Sequence, residues 1–233
     1  MNLSDHHNLQ EHPFIQHATR PLVVRLTEKR SEGRVVRSAS FGNQQVWWEL
    51  AGPEHSLPAP LVAHDMAATA LVFVAMHRGQ DLYIDGPVTY SLLKNMEDLI
   101  ACWVAWRPDL YRPIRVGAAQ ELQDGAIPAP YATRAVAAFS GGLDASFTAW
   151  RHVTGRAGRR SYPLHAGVLI QGFDIALDAK AAFDTTIASA ADTLHSISVP
   201  MVTLKTNWRT VACVNWEMAV SYTHLTLPTT PYV

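Results

Sequence analysis

The run Ala135 to Phe139 is apolar without alternation, breaks at Ser140-Gly141-Gly142, and resumes with apolar residues at helical spacing as far as His152. That order predicts a buried strand, a glycine turn and a helix. The same grammar continues downstream, with strands over 164–170 and 200–206 separated by a helix over 178–195 whose stripe is Phe183, Ile187, Ala191 and Leu194. Strands that alternate with helices predict parallel pairing through right-handed crossovers. The predicted fold class is therefore α/β, with the opening half of a doubly wound, Rossmann-like parallel sheet.

Upstream the period changes. Leu22, Val24 and Leu26 alternate with Val23, Arg25 and Thr27, and further strands over 34–40 and 44–50 follow the turns at Gly33 and Gly42-Asn43. Together they predict an antiparallel meander. Trp47 and Trp48 fall on opposite faces of its third strand, so at most one belongs in a core; the other suits stacking on a ligand base or packing against a neighbouring element. A helix is predicted over 62–77, with Met66, Ala70, Phe73, Val74 and His77 near one face and Gly79 as its stop. Next come a short strand over 81–85, a turn at Gly86-Pro87, a helix over 91–106 stopped by Pro108, and a returning strand over 111–116. His64 and Asp65 read as first-turn and surface residues, because adjacent helical positions do not share a face. Residues 21–118 are thus expected to form a small α+β domain. A linker over 119–131, interrupted by Gly125, Pro128 and Pro130, leads to a second domain over 132–219.

Composition narrows the class without choosing a chemistry. A chain of 233 residues with 48% hydrophobic and 17% charged residues has enough apolar material for one large or two small cores. A net charge of −1 gives no overall basic footprint for nucleic acid. The beginning has no basic-then-apolar order, and the most apolar run, Met66 to Met76, is about half of a bilayer span, so a cytoplasmic protein without a membrane anchor is expected. Cys102 and Cys213 have no metal-ligand spacing and read as buried thiols of a reducing compartment. Residues 1–20, with His6, His7, His12 and His17, read as a mobile leader. The turn Gly155 to Arg160, GRAGRR, has Arg residues that suit phosphate or an acidic substrate, or simply a solvated loop.

The candidate chemistry sits at the turn after Phe139. Gly141 and Gly142 allow a backbone that brings N–H groups close to an oxygen anion, and Ser140 and Ser146 add hydroxyls. Asp144 beside a triphosphate calls for a bridging cation, hence Mg²⁺. The alternative is a strand-to-helix turn whose acidic first-turn residue is favoured by the helix dipole. By the rule that ligands of such sheets sit at the carboxyl ends of strands, Asp174, Asn207 and Arg209 join as candidates for the substrate or nucleotide side, and each serves equally well as a helix cap or loop residue.

The heptapeptide Ser140-Gly141-Gly142-Leu143-Asp144-Ala145-Ser146 resembles the pyrophosphate loop, SGGxD followed by small hydroxyl residues, of the PP-loop ATP pyrophosphatases. These adenine nucleotide alpha hydrolase-like proteins include the synthetase domains of asparagine synthase and the 7-cyano-7-deazaguanine synthases. The resemblance covers about 135–206, and its specific part is the loop. It implies ATP and Mg²⁺ as cofactors and cleavage of ATP to AMP and pyrophosphate. Ser140, Gly141, Gly142, Leu143 and Ser146 would cradle pyrophosphate, Asp144 would hold the metal, and Asp144 and Ser146 are the catalytic candidates. Ala145 departs from the Ser or Thr often found there, which removes one hydroxyl. Backbone at the end of the second strand, Leu169 and Ile170, would line the adenine edge. With Asn2 where asparagine synthase exposes a catalytic cysteine, glutamine hydrolysis in the same chain is not implied. The implied activity is adenylation of a carboxylate, carbonyl or amide oxygen for attack by a nitrogen or sulfur nucleophile, as in a ligase; the alternative is a module that binds or senses ATP without cleaving it. The partners implied are a small-molecule substrate plus ATP, and a homo-oligomer is compatible.

Val220 to Thr229, VSYTHLTLPT, resembles the translation of a transposase adapter used in preparing sequencing libraries. On that reading 220–233 is a non-native tail. It further predicts that the natural protein continues past Ala219, that the sheet of the second domain is incomplete, and that this fragment is inactive or aggregates through an open edge.

Overall fold

The structure, a computed structural model, describes residues 20–123 and 134–212. The expectations for the leader, for the linker from 124 onward, for Cys213 and for the tail lie outside the described residues. The elements are β1 (Leu22–Ser31), β2 (Arg34–Phe41), β3 (Gln44–Ala51), α1 (Asp65–Arg78), β4 (Leu82–Thr89), α2 (Tyr90–Trp106), β5 (Val116–Leu122), β6 (Ala135–Ala138), α3 (Leu143–Val153), β7 (Leu164–Gln171), α4 (Lys180–Ser196), β8 (Met201–Thr206) and α5 (Trp208–Ala212). The protein is α/β, and the eight strands among the described residues hydrogen-bond in the order β5-β4-β1-β2-β3-β8-β7-β6. The pairs β1/β4, β4/β5, β6/β7 and β7/β8 are parallel, and β3/β8 is antiparallel.

Two compact units arise, and neither is one continuous stretch. The first draws on 20–27, 39–45 and 61–123, the second on 28–38, 46–60 and 134–212. This partition differs from the expected linear division at 119–131, because β1, β2 and β3 each contribute residues to both units.

In the first unit, α1 begins at Asp65, ends on a left-handed Gly79 (φ 63°), and buries Ala67, Ala68, Leu71, Val72, Val74, Ala75 and Met76. The expected stripe differs: of its members only Val74 is buried, while Met66, Ala70 and Phe73 are half-buried and His77 is exposed. A helix this apolar on all sides carries no readable phase. Phe73 instead meets the rings of Trp103 and Tyr111, at centroid distances of 5.2 and 5.4 Å. Gly86-Pro87 is no turn but lies inside β4, where the register with β5 shifts between Ile84 and Pro87. A bulge tolerates a residue without an N–H. The returning strand runs over 116–122 rather than 111–116, hidden by the polar Gln120 and Glu121 of β5. Cys102 is exposed, contrary to expectation, because α2 buries the face of Leu93, Met96 and Ile100. Among the described residues, no helix is long and apolar enough to cross a membrane.

In the second unit, β6, β7 and β8 form the predicted parallel ribbon, with α4 between β7 and β8 in the chain, but β6 is not the buried strand expected, since Val136 and Ala138 are exposed. Its core joins Phe139, Ala149, Leu169, Phe183, Ala190, Leu194 and Val199. Gly167 admits α4 closely, since a Cβ there would lie 2.6 Å from Leu194 Cδ1. The later half of β3 pairs antiparallel with β8, placing Trp48 opposite Thr206. Trp48 is the buried tryptophan of the pair and Trp47 is half-buried.

Candidate functional site: the turn from β6 into α3

β6 stops at Ala138, and the next residue anchors the turn twice. The Phe139 N–H donates to Val168 O at 2.8 Å, and its ring is 1% exposed in the core beside Phe183. The chain then surfaces. Ser140 is exposed, Gly141 takes φ 79°, a conformation that L side chains rarely adopt, and Gly142 is the extended cap of α3. A Cβ on Gly141 would lie 3.9 Å from Ala190 Cβ, so the turn rests on α4.

The turn leaves donors over. The Gly142 N–H points to Ser140 Oγ at a long 3.4 Å, and the Ser146 N–H closes the first helical bond to Gly142 O at 3.0 Å. The N–H groups of Gly141, Leu143, Asp144 and Ala145 make no hydrogen bond to any described residue. Leu143 and Asp144 are exposed at this helix N-terminus, where aligned peptide dipoles favour an anion. Asp144 forms no ion pair with a described residue. Among the described residues there is no group of three or more His, Cys, Asp or Glu able to hold a metal. Mg²⁺ on a triphosphate needs less, one or two carboxylates with phosphate oxygens and water supplying the rest. Asp144 beside unclaimed amides fits that requirement.

The ends of the neighbouring strands are organised differently from one another. Val168 O is taken on the β6 side by Phe139, so the alternation of the pleat turns the N–H and C=O of Ile170 to that same side, past the end of β6. Leu169 faces the other way and its side chain is 2% exposed in the core. Of the two residues expected at an adenine edge, Ile170 is thus the one with backbone groups turned toward the loop side. Beyond it, the buried Gln171 donates from Nε2 to Ala176 O at 2.9 Å and to Leu177 O at 3.3 Å, shaping the turn that follows.

Asn207 and Arg209 do structural work at the end of β8. Asn207 Oδ1 accepts from the Trp47 N–H at 2.9 Å, and Arg209 Nη1 donates to Phe173 O at 2.9 Å. Phe173 in turn meets Trp208 edge-on, with centroids 6.0 Å apart. These contacts tie the ends of β3, β7 and β8 together, and Asp174 stays exposed in the same loop. Reading the sequence missed the packing of Gly172 against Thr206, whose carbonyl oxygen leaves no room for a Cβ. The only available signal was a glycine directly after a strand.

A larger concavity of about 420 Å³ lies elsewhere, lined by Pro53, Asp192, His195, Pro200 and Met201 among others. It opens at the start of β8, the wrong end for the strand-end rule, and its titratable groups are two exposed residues of α4. Comparison with protein-family models, with curated proteins and with solved structures finds no match.

Proposed function

We propose that the protein is a PP-loop ATP pyrophosphatase-like enzyme that activates an acceptor oxygen by adenylation. The observation that carries this reading is the row of N–H groups at Gly141, Leu143, Asp144 and Ala145, unclaimed by described residues and set at the N-terminus of α3. Such donors, fixed before any ligand arrives, stabilise charge without reorganising, and charge is what a departing pyrophosphate accumulates. Ser140 and Ser146 would add hydroxyl donors to the β- and γ-phosphates. Asp144 would hold Mg²⁺ against the same oxygens, and the ion would neutralise part of their charge. The Ile170 backbone would meet the adenine edge. An acceptor carboxylate, carbonyl or amide oxygen then attacks the α-phosphorus as the bond to the β-phosphate oxygen breaks, and a nitrogen or sulfur nucleophile later displaces AMP. Little proton transfer is asked of side chains, so positioning supplies most of the rate.

A second reading, ATP binding without cleavage, is favoured by one observation. The side chains of Asn207 and Arg209 are engaged at the strand ends rather than directed at a ligand. Two measurements separate the readings. ATP binding followed by equilibrium titration, and pyrophosphate release in the presence of candidate acceptors, are compared between the protein and Asp144→Ala. Release that is abolished by Asp144→Ala supports the enzyme; ATP bound with no pyrophosphate from any acceptor leaves the binding module. No ATP binding at millimolar nucleotide ends both.

A further inference from the structure

The far end of α3 carries a feature that the phosphate loop does not use. Residues 151–160, RHVTGRAGRR, hold four Arg and one His and no acidic residue. All four Arg are exposed, and none forms an ion pair with a described residue. Two of them, Arg151 and Arg160, share a concavity of about 220 Å³, lined also by Thr148, His152 and Ala157. His152 Nδ1 accepts the Tyr162 N–H at 3.1 Å, which fixes the tautomer and leaves Nε2 as a donor.

Rings are interleaved with the cations. Phe147 and Trp150 stack at 5.9 Å with an interplanar angle of 29°, and guanidinium groups lie over both, Arg151 at 5.9 Å from Phe147 and Arg156 at 4.7 Å from Trp150. Tyr162 lies beside His152 at 6.4 Å. Phe147 is 53% and Tyr162 54% exposed, a cost in apolar surface that nothing in the fold requires. A cation in the last turn of a helix, as Arg151 is, would complement its dipole. Four guanidinium groups within ten residues, two of them lining a concavity and none with a carboxylate partner among the described residues, exceed that need. Cations that track phosphates, with exposed rings beside them, are what sequence-tolerant binding of single strands uses. The net charge of the chain conceals this patch.

We propose that this patch binds the backbone phosphates of a single-stranded nucleic acid. It is a separate site from the phosphate loop: Asp144 and Arg151 are seven residues apart on α3, or about 10 Å along the axis. The inference goes beyond the ATP reading and stands without it.

The test is fluorescence anisotropy with a labelled 20-nucleotide oligouridylate strand, measured on the full chain without ATP or Mg²⁺ over a series of salt concentrations. For single strands, log K falls with log salt by about 0.7 per phosphate contacted, so four contacts predict a slope of about −3. Arg151→Gln/Arg159→Gln/Arg160→Gln should bring the slope to about −1 and weaken binding at least tenfold at low salt. Lys29→Gln/Lys94→Gln/Arg20→Gln, which removes as many exposed charges elsewhere, should leave the slope near −3. Phe147→Ala/Tyr162→Ala should weaken binding with the slope unchanged, and circular dichroism confirms that each variant is folded. The proposal is overturned by no binding at low salt, by equal loss in the two charge variants, by tighter binding of a duplex of the same length, or by polyglutamate competing as well as unlabelled strand at equal charge.

Discussion

The carbonyl oxygen of Thr206 lies 1.9 Å from the place where Gly172 would carry a Cβ. Gly172 also has φ 104°, so a side chain meets both a backbone atom and a disfavoured conformation. The ends of β7 and β8 are therefore spaced by the absence of one carbon. Gly172→Ala should destabilise the protein by about 3 kcal/mol. Gly42→Ala, with φ 56° but open space around it, should cost about 1 kcal/mol. Urea midpoints of the two variants compared with the parent check the difference.

Gly142 offers the opposite case. Its φ of −74° suits any residue, and a Cβ would approach nothing closer than Ser140 Oγ at 3.5 Å. Gly142→Ala should therefore fold with its urea midpoint unchanged. The added methyl would stand beside the adjoining Leu143 N–H, and ATP affinity should fall about tenfold, roughly 1.4 kcal/mol. Isothermal titration on the parent and the variant reads the effect, and equal affinities would remove Gly142 from the phosphate cradle.

Much of the second unit was legible because each element carried a consistent local signal. Gly141 and Gly142 punctuated the step from strand to helix, and the segments 164–170 and 200–206 were of strand length on either side of a helix. The first unit was harder. The apolar face of α1 has no phase, and Pro87 marks a bulge that reads locally as a turn. The roles of Asn207 and Arg209 depend on Trp47 and Phe173, residues 160 and 36 positions away. No local pattern records partners at that distance.

Asp65 gives a third prediction. Its Oδ1 accepts the Thr89 N–H at 2.9 Å and its Oδ2 accepts the Thr89 hydroxyl at 2.6 Å. One carboxylate in the first turn of α1 thus fastens the junction where β4 passes into α2. Asp65→Ala leaves both donors without that partner and should cost about 2 kcal/mol. Asp65→Asn keeps one acceptor and should cost about half as much. Thermal melts of the two variants give the order.

Stability should also depend on mildly acidic pH through His64. Burial holds its imidazole below the ordinary value of 6.5, against the opposing pull of Asp85 and Asp65. Its Nδ1 is buried without a hydrogen-bond partner among the described residues, over the place a Gly86 Cβ would occupy. Between the lowered native value and 6.5 the unfolded chain binds more protons than the native one. Stability from this group is then complete above about pH 6.5 and is lost as pH falls through the lowered value. Urea midpoints from pH 7.5 to 5 should fall less steeply in His64→Gln than in the parent; parallel curves would show that this group is not responsible.

β6 has four residues and, among the described residues, a strand partner on one flank only. On its other flank the amides meet no strand among the described residues, and Val136 is 60% exposed. The pedestal beneath the Ser140 to Ser146 turn is therefore a one-sided hinge, and brief detachment from β7 would need few bonds to break. Deuterium should enter the amides of β6 sooner than those of β7. A guest gripping the turn would lock that hinge, so slower exchange at Val136 and Ala138 would report occupancy from beneath the binding site itself.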